Sequence, residues 1–573
     1  MSTSRQGIPS RTYRWILRER APLDHLKSFA DVHPLAVQLL WNRGVRDTDD
    51  VHAFAQGSAV SLPSPWLMRG VAEAVRRLDA ARAGGESVVV YGDYDVDGIT
   101  STVVLAECLR LLGIPTTTFV PRRHVEGYGL NDAALEKIRE QGAKLVVAVD
   151  CGISGNREIQ RAREIGLDVI VADHHHVPPK LPEAVAVVNP RQDGCPYPFK
   201  DLCAAGIVYR LAQALLEHAG LAPDVADQWL DLVAVATVAD VVPLLGENRA
   251  LVLRGLPALN PPRRVGLRAL ASRAGLTDGR IDARSIAFAI APRLNAAGRL
   301  GDARASLELL LATSSVEAAT LADELDAANR ERQRLTDEAL IQARDEILAW
   351  AELPKLLMVV RESYPSGVVG LVAAKLVEEF CRPALVAELG TDVARGSARS
   401  IDGFHIARAL ERCADVLSRH GGHARAAGFT VPASNLDCLR QRLEEIACGE
   451  ITDDDVLPRL DVDTEIRLTR LDKSLLDVVQ QLEPLGFGNP QPLFLTRQLR
   501  VIDARVVGRT APGHLRLKLH DSRRTWDAIA FGMGDRKDDL SECVDVVYSV
   551  ERDDWNGRNG TRLRLRDLRP STS

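Results

Sequence analysis

The chain has 573 residues, 46% of them hydrophobic and 26% charged, with a formal net charge of −6 at pH 7. Those values argue against a long disordered chain and against a surface coated in positive charge, although a basic groove can be hidden in an acidic sum. Nine cysteines without a CxxC pair indicate neither a disulfide framework nor a zinc site; with no apolar leader core and no run of membrane-spanning length, a cytoplasmic protein of about four domains is expected.

Residues 1–70 read as a cap region without a motif, in which PLAVQLLWNRGV is a helix. From Ser87 to about Val188 short apolar runs alternate with helical stretches: SVVVY (87–91), TSTVVLAECLRLLG (100–113), PTTTFV, NDAALEKIREQGA, KLVVAV (144–149), NREIQRAREIG and DVIVA (168–172). Continuous apolar runs mark strands buried on both faces, and their alternation with helices implies a parallel sheet. A mostly helical region follows, in which DQWLDLVAVATVADVVPLL (227–245) has the apolar density of a core helix. Residues 314–349 contain no Gly or Pro and open on the capping pair Ser314 and Glu317, which predicts one long connecting helix. KLLMVV (355–360), VGLVAAKLVEEF (369–380) and PALVAEL (383–389) predict strand, helix and strand of a second α/β domain that runs to about residue 448.

Beyond it the pattern changes. HLRLKLH (514–520) and TRLRLRDLR (561–569) alternate strictly, so one strand face carries His514, Arg516, Lys518 and His520 and another carries Arg562, Arg564 and Arg566. Residues 491–573 hold 16 lysines and arginines against 12 acids. A small barrel with a basic groove is expected, against the plainer reading of a solvated sheet face.

Ligands of parallel sheets sit beyond the carboxyl ends of the strands, and three acidic clusters fall there. Asp93, Asp95 and Asp97 follow SVVVY, Asp150 follows KLVVAV, and Asp173-His174-His175-His176 follows DVIVA; Asp240 lies in the apolar segment ATVADVVPL. The first cluster also begins the calcium-loop pattern, but Val104 stands where that loop needs a bidentate Glu. Carboxylates so gathered repel one another unless cations neutralise them. Oxygen and imidazole donors without thiolates suit Mn²⁺ or Mg²⁺, and their number is enough for two ions, the arrangement that supports in-line displacement at phosphorus.

DYDVDG (93–98), VDCG (149–152), DHH (173–175) and ATVADVVPL (236–244), in this order, resemble the four motifs of the DHH phosphoesterase superfamily. LNAAGR (294–299), GSARS (396–400) and GGHARAAG (421–428) narrow the resemblance to the RecJ single-strand-specific exonucleases, over about residues 70–570. It implies a parallel-sheet DHH catalytic domain (71–313), a connecting helix (314–349), a second α/β DHH-associated domain (350–448) and a C-terminal OB-type β-barrel for nucleic acid (449–573), behind the 1–70 cap. It also implies that Asp95, Asp97, Asp150, His174 and Asp240 bind the metals, with Asp93 a further ligand or supporting acid. His175 would face the scissile phosphate, Asp173 would orient His174, and His176 would be a bystander.

Gly421, Gly422 and Gly428 would let backbone amides approach a phosphate beside His423 and Arg425, while Ser397 and Arg399 with Arg299 would form a pocket for a terminal phosphate. The activity implied is 5′→3′ hydrolysis of single-stranded DNA to mononucleotides in recombination and repair. A monomer is expected, with a helicase and a single-strand-binding protein as candidate suppliers of substrate and no membrane partner. The alternatives are a small-substrate DHH phosphodiesterase acting on oligonucleotides or cyclic dinucleotides, and a non-catalytic single-strand DNA-binding protein.

Overall fold

A computed structural model describes residues 13–57, 60–122, 127, 129–276, 280–471, 473–508, 513–553 and 560–571; the first twelve residues of the polar, basic N-terminal stretch lie outside them. The chain divides into two units, one of residues 45–332 and 481–490 and the other of 1–44, 333–480 and 491–573.

The first unit is built on five parallel strands, Thr116–Phe119, Val88–Tyr91, Leu145–Val149, Asp168–Ala172 and Ala186–Val188 in spatial order. Alternate residues feed two cores. Val88, Val90, Leu145, Val147, Val149, Ile170 and Ala172 pack on one face, and Val89, Tyr91, Val146, Ala148, Val169 and Val171 on the other. That double burial is why these strands read as unbroken apolar runs.

The first helix after the sheet's Val88–Tyr91 strand spans Val96–Leu111, four residues earlier than the sequence pattern predicts. The polar start of this helix hides it: Asp95 caps the N-terminus, its Oδ1 accepting from Gly98 N at 3.1 Å. A Cβ on Gly98 would lie 2.6 Å from both the backbone N and O of Asp93. Gly98→Ala is therefore expected to destabilise the protein by about 2 kcal/mol or more and to displace the acidic loop, measurable as a lower melting temperature.

The apolar segment 227–245 is not one helix. A 3₁₀ turn, Pro223–Trp229, leads into the helix Leu230–Ala239, which stops with Asp240 as its C-cap residue. The next residue, Val241, has φ 59°, a value β-branched residues seldom adopt, and this ends the helix despite its apolar continuation.

The second unit holds a mixed sheet of Leu357–Arg361, Ala384–Leu389, Val393–Arg399, Ala426–Pro432 and Arg419–Gly422, the first pair parallel and the rest antiparallel. It also holds a closed five-stranded barrel. Phe494–Val507, His514–His520, Thr525–Ala530, Gly560–Pro570 and Cys543–Asp553 follow one another, and the last pairs back with the first. The long helix runs Ser315–Leu348, with Ser314 Oγ accepting from Glu317 N at 3.4 Å. The unit boundary at 332/333 falls inside it.

Residues near the N-terminus join the C-terminal part of the chain. Arg14–Leu17 pairs in parallel with Arg459–Val462, and Trp15 Nε1 donates to the buried Asp567 Oδ2 at 2.7 Å. Asp567 also interrupts the basic alternation of its strand, where a register shift lies opposite Val547 and Tyr548. The barrel's basic rows are partly ion-paired: Glu551 lies 3.5 Å from Arg562 and 3.0 Å from Arg564, and Arg516 meets Asp527 at 3.5 Å. These pairs show that part of the basic face is a neutralised sheet face.

Candidate metal centre

The ends of three neighbouring parallel strands and the end of the 230–239 helix bring the expected acids together within the first unit. Ligand atoms of Asp93, Asp95 and Asp150 lie within 4.8 Å of one another, as do those of Asp97, His174 and Asp240, and those of Asp150, His174 and His175. His174 Nε2 is 3.3 Å from Asp150 Oδ1, 3.7 Å from Asp240 Oδ2 and 3.8 Å from Asp97 Oδ2. All seven expected residues of the cluster therefore converge.

Backbone groups position Asp97 and Asp150. Asp97 receives Ala204 N on Oδ2 (2.7 Å) and Ala205 N on Oδ1 (2.8 Å), at the start of the helix Ala204–His218, where unpaired amides favour an anion. Asp150 sits in the left-handed region at φ 60°, and its N–H donates to Ala172 O at 3.0 Å. Such backbone costs about 1–3 kcal/mol and persists only where the surroundings fix it.

Burial is the largest influence on these acids. It raises Asp97 to about 7, with the Asp95 charge adding to the shift. Burial with the Asp97 and Asp95 charges raises Asp240 to about 9. Asp150 is pushed well above the carboxylate range by burial and by Asp97, Asp95, Asp93 and Asp240. Burial, then the neighbouring His175, lowers His174 to about 3, leaving a neutral imidazole suited to ligation despite the nearby acids.

The donors fit a divalent cation. Asp240 Oδ2 is buried and accepts no hydrogen bond, His174 Nε2 points among three carboxylates, and the set is all oxygen and imidazole nitrogen.

Asp173 differs from its expected part. It holds His175 rather than His174: Oδ1 meets His175 Nδ1 at 2.7 Å and accepts His175 N at 3.0 Å, while Oδ2 accepts Ile153 N at 3.0 Å. The chain turns directly after the strand, so the second histidine, not the first, folds back over the acid. Burial opposes charge on His175, but the Asp173 bond and charge, with Asp95 and Asp97, outweigh it and raise the His175 pKa. His176 is exposed, in keeping with a bystander.

Three asparagines go beyond the sequence reading. Asn189 is fully buried, and its Nδ2 donates to His175 O at 3.0 Å; it follows the fifth parallel strand, Ala186–Val188, so the strand-end rule could have found it. Asn295 of LNAAGR accepts Val96 N at 3.1 Å and anchors the helix that carries Asp97. Asn248 donates to Asp201 O (2.6 Å) and Pro243 O (3.0 Å), bracing the segments next to Ala204 and Asp240. Nothing in local pattern marks that brace.

The expected phosphate residues fall in both units. Arg299 ends the helix Ala291–Leu300 of the first unit. In the second, Arg399 Nη1 donates to Ser397 Oγ at 2.7 Å, and the first turn of the helix Val369–Phe380 packs so close that a Cβ on Gly370 would sit 3.0 Å from Arg399 Nη2 and 3.1 Å from Ser397 Oγ. Ser397, Gly428 and Gly421 are successive neighbours across three strands, so GGHARAAG is a hairpin rather than a loop. Arg425 makes a surface ion pair with Asp402, and His423 N donates to Ala426 O at 2.7 Å across the hairpin turn. Among the described residues no helix is long and apolar enough to cross a membrane.

Comparison with known proteins agrees with this geometry. Three family models match: the DHH family N-terminal domain over residues 87–237, the DHHA1 domain over 353–448 and the RecJ OB domain over 462–567. The single-stranded-DNA-specific exonuclease RecJ of Bacillus subtilis is 36% identical over 97% of this chain and 70% of its own length. The crystal structure of RecJ from Thermus thermophilus in complex with Mn²⁺ superposes with a TM-score of 0.84 at 32% identity, covering 98% of this chain and 80% of that one. The Mg²⁺ complex gives 0.79 at 31%, covering 98% and 79%. With its carboxylate and histidine cluster at the strand ends, a DHH-associated sheet and a closed barrel, this chain belongs to the RecJ family of the DHH phosphoesterases.

Proposed function

We propose that the chain is a metal-dependent exonuclease that hydrolyses single-stranded DNA from the 5′ end to mononucleotides, in recombination and repair. The convergence of Asp93, Asp95, Asp97, Asp150, His174 and Asp240 at the strand ends carries this reading, together with the single-strand specificity named for the RecJ relatives. These six residues hold Mn²⁺ or Mg²⁺, two ions by the number of donors. When bound, the ions neutralise the carboxylates and supply the polarisation of water and phosphate that the hydrolysis requires.

The protein groups do the positioning. Asp173 and Asn189 fix His175 by its Nδ1 and backbone, so that Nε2 meets the phosphate as a charge partner and proton donor to the leaving oxygen. Within the second unit, Ser397, Arg399 and the hairpin of Gly421, Gly422, His423 and Arg425 receive a terminal phosphate, which the fork of Arg399 suits better than a lysine would; Arg299, in the first unit, offers a separate phosphate contact. Residues 71–313 act as catalytic section, 350–448 as its associated domain joined by helix 314–349, and 449–573 as the grip on the strand, with 1–70 as cap. The protein works as a cytoplasmic monomer supplied by a helicase and a single-strand-binding protein.

Full-length protein incubated with 5′- or 3′-labelled single strands, blunt duplex and dinucleotides tests the proposal. With Mn²⁺, the 5′ label is expected first as mononucleotide from the single strand, with little from the duplex and none in EDTA. Release of the 3′ label first would overturn the polarity, and faster turnover of dinucleotides than of long strands would favour a small-substrate phosphodiesterase.

A further inference from the structure

Residues 481–490 return to the first unit from far along the chain and form a clamped turn. Gly486 N donates to Asn489 O at 2.9 Å and Asn489 N to Gly486 O at 3.2 Å. The fully buried Asn489 gives its Nδ2 to Leu482 O (2.6 Å) and Pro484 O (3.0 Å), and Arg249 Nη2 donates to Gln481 O and Glu483 O, each at 3.1 Å. The turn sits directly on the segment that follows Asp240. Leu244 N donates to Phe487 O at 2.8 Å, and a Cβ on Gly488 would come within 2.8 Å of Pro243 Cβ.

A turn this tightly held could bury its apolar side chain, yet Phe487 at its tip is 59% exposed. Val241, next to the candidate ligand Asp240, is 60% exposed in its left-handed conformation. The four Cα–Cα steps from Asp240 to Leu244 span at most about 14 Å, which bounds how far the backbone bonded to Phe487 lies from the candidate ligand. Rigid aromatic surface next to a phosphodiester site is what a nucleobase stacks on, and because every base has a π-face such a platform reads no sequence.

We propose that Phe487, with Val241 beside Asp240, is a stacking platform for one base of the single strand near the scissile bond. The inference rests on the single-strand reading above.

The test compares full-length wild type, Phe487→Ala and Phe487→Trp in Mn²⁺ on single strands that are intact or carry one abasic residue at each of the first positions from the cleaved end. Wild type is expected to lose about 5- to 150-fold in kcat/KM, mostly through KM, when the abasic residue reaches one register. Phe487→Ala should show that loss on the intact strand and no further loss at that register, and Phe487→Trp should restore the wild-type pattern. Equal abasic dependence in wild type and Phe487→Ala, or wild-type kcat/KM for Phe487→Ala on the intact strand, would overturn the platform alone. Wild type that cleaves no single strand would overturn the functional reading and the platform with it. Melting temperatures check that the exposed substitution leaves the fold intact.

Discussion

Asp150→Asn is expected to abolish metal-dependent hydrolysis, by at least about 10³-fold, and at the same time to raise the melting temperature of the metal-free protein. Both effects come from the same carboxylate. Asp150 is 2% exposed, and burial plus four neighbouring acids lift its pKa well above the unfolded value. An acid whose folded pKa is raised penalises folding at any pH above its unfolded pKa, and at pH 7 that penalty reaches at most about 4 kcal/mol. Asparagine has nearly the same shape, carries no charge and tolerates the left-handed backbone found there at φ 60°.

The stability gain of the variant should shrink as the pH falls toward about 4, where the unfolded carboxyl holds its own proton. Saturating Mn²⁺ should reverse the order by stabilising only the protein that binds it. Melting curves of both proteins with and without Mn²⁺ decide the matter. A variant less stable than wild type without metal would show that Asp150 is structural rather than a stored metal site.

The two histidines should fail in different ways. His174 places Nε2 among Asp97, Asp150 and Asp240, whereas His175 is tied by Nδ1 to Asp173. His174→Ala is expected to weaken Mn²⁺ binding, with activity partly regained at high Mn²⁺. His175→Ala is expected to keep Mn²⁺ affinity within a fewfold and to lose about 10²–10⁴ in kcat, with no rescue by metal. Titration calorimetry with Mn²⁺ and single-turnover rates separate these outcomes; identical signatures would mean that the histidines share one role.

Much of this site is legible in sequence because strand-end geometry is local. A buried strand reads as an apolar run, and the residues just past Tyr91, Val149 and Ala172 must face the same edge of a parallel sheet, so Asp93 to Asp97, Asp150 and Asp173 to His175 could be gathered without coordinates. What could not be read depends on turns and on distant packing. Which histidine Asp173 holds follows from the turn after Ala172, not from residue order. Asp240 ends a helix because Val241 takes a left-handed conformation that apolar periodicity does not record. The pairing of Arg14–Leu17 with Arg459–Val462, the return of 481–490 to the first unit and the Asn248 brace join residues far apart in sequence. Alternation placed the basic rows of the barrel correctly, but the partner Glu551 lies on another strand, so the degree of neutralisation was invisible.

Anomalous scattering at the manganese edge from crystals grown with Mn²⁺ locates the ions that the carboxylate cluster is built to hold. Strong peaks bounded by Asp93, Asp95, Asp97, Asp150, His174 and Asp240 are expected, absent from Asp150→Asn or much weakened there. Crystals of active protein with no manganese at this cluster, or with their only peaks elsewhere, would contradict its role as the metal centre.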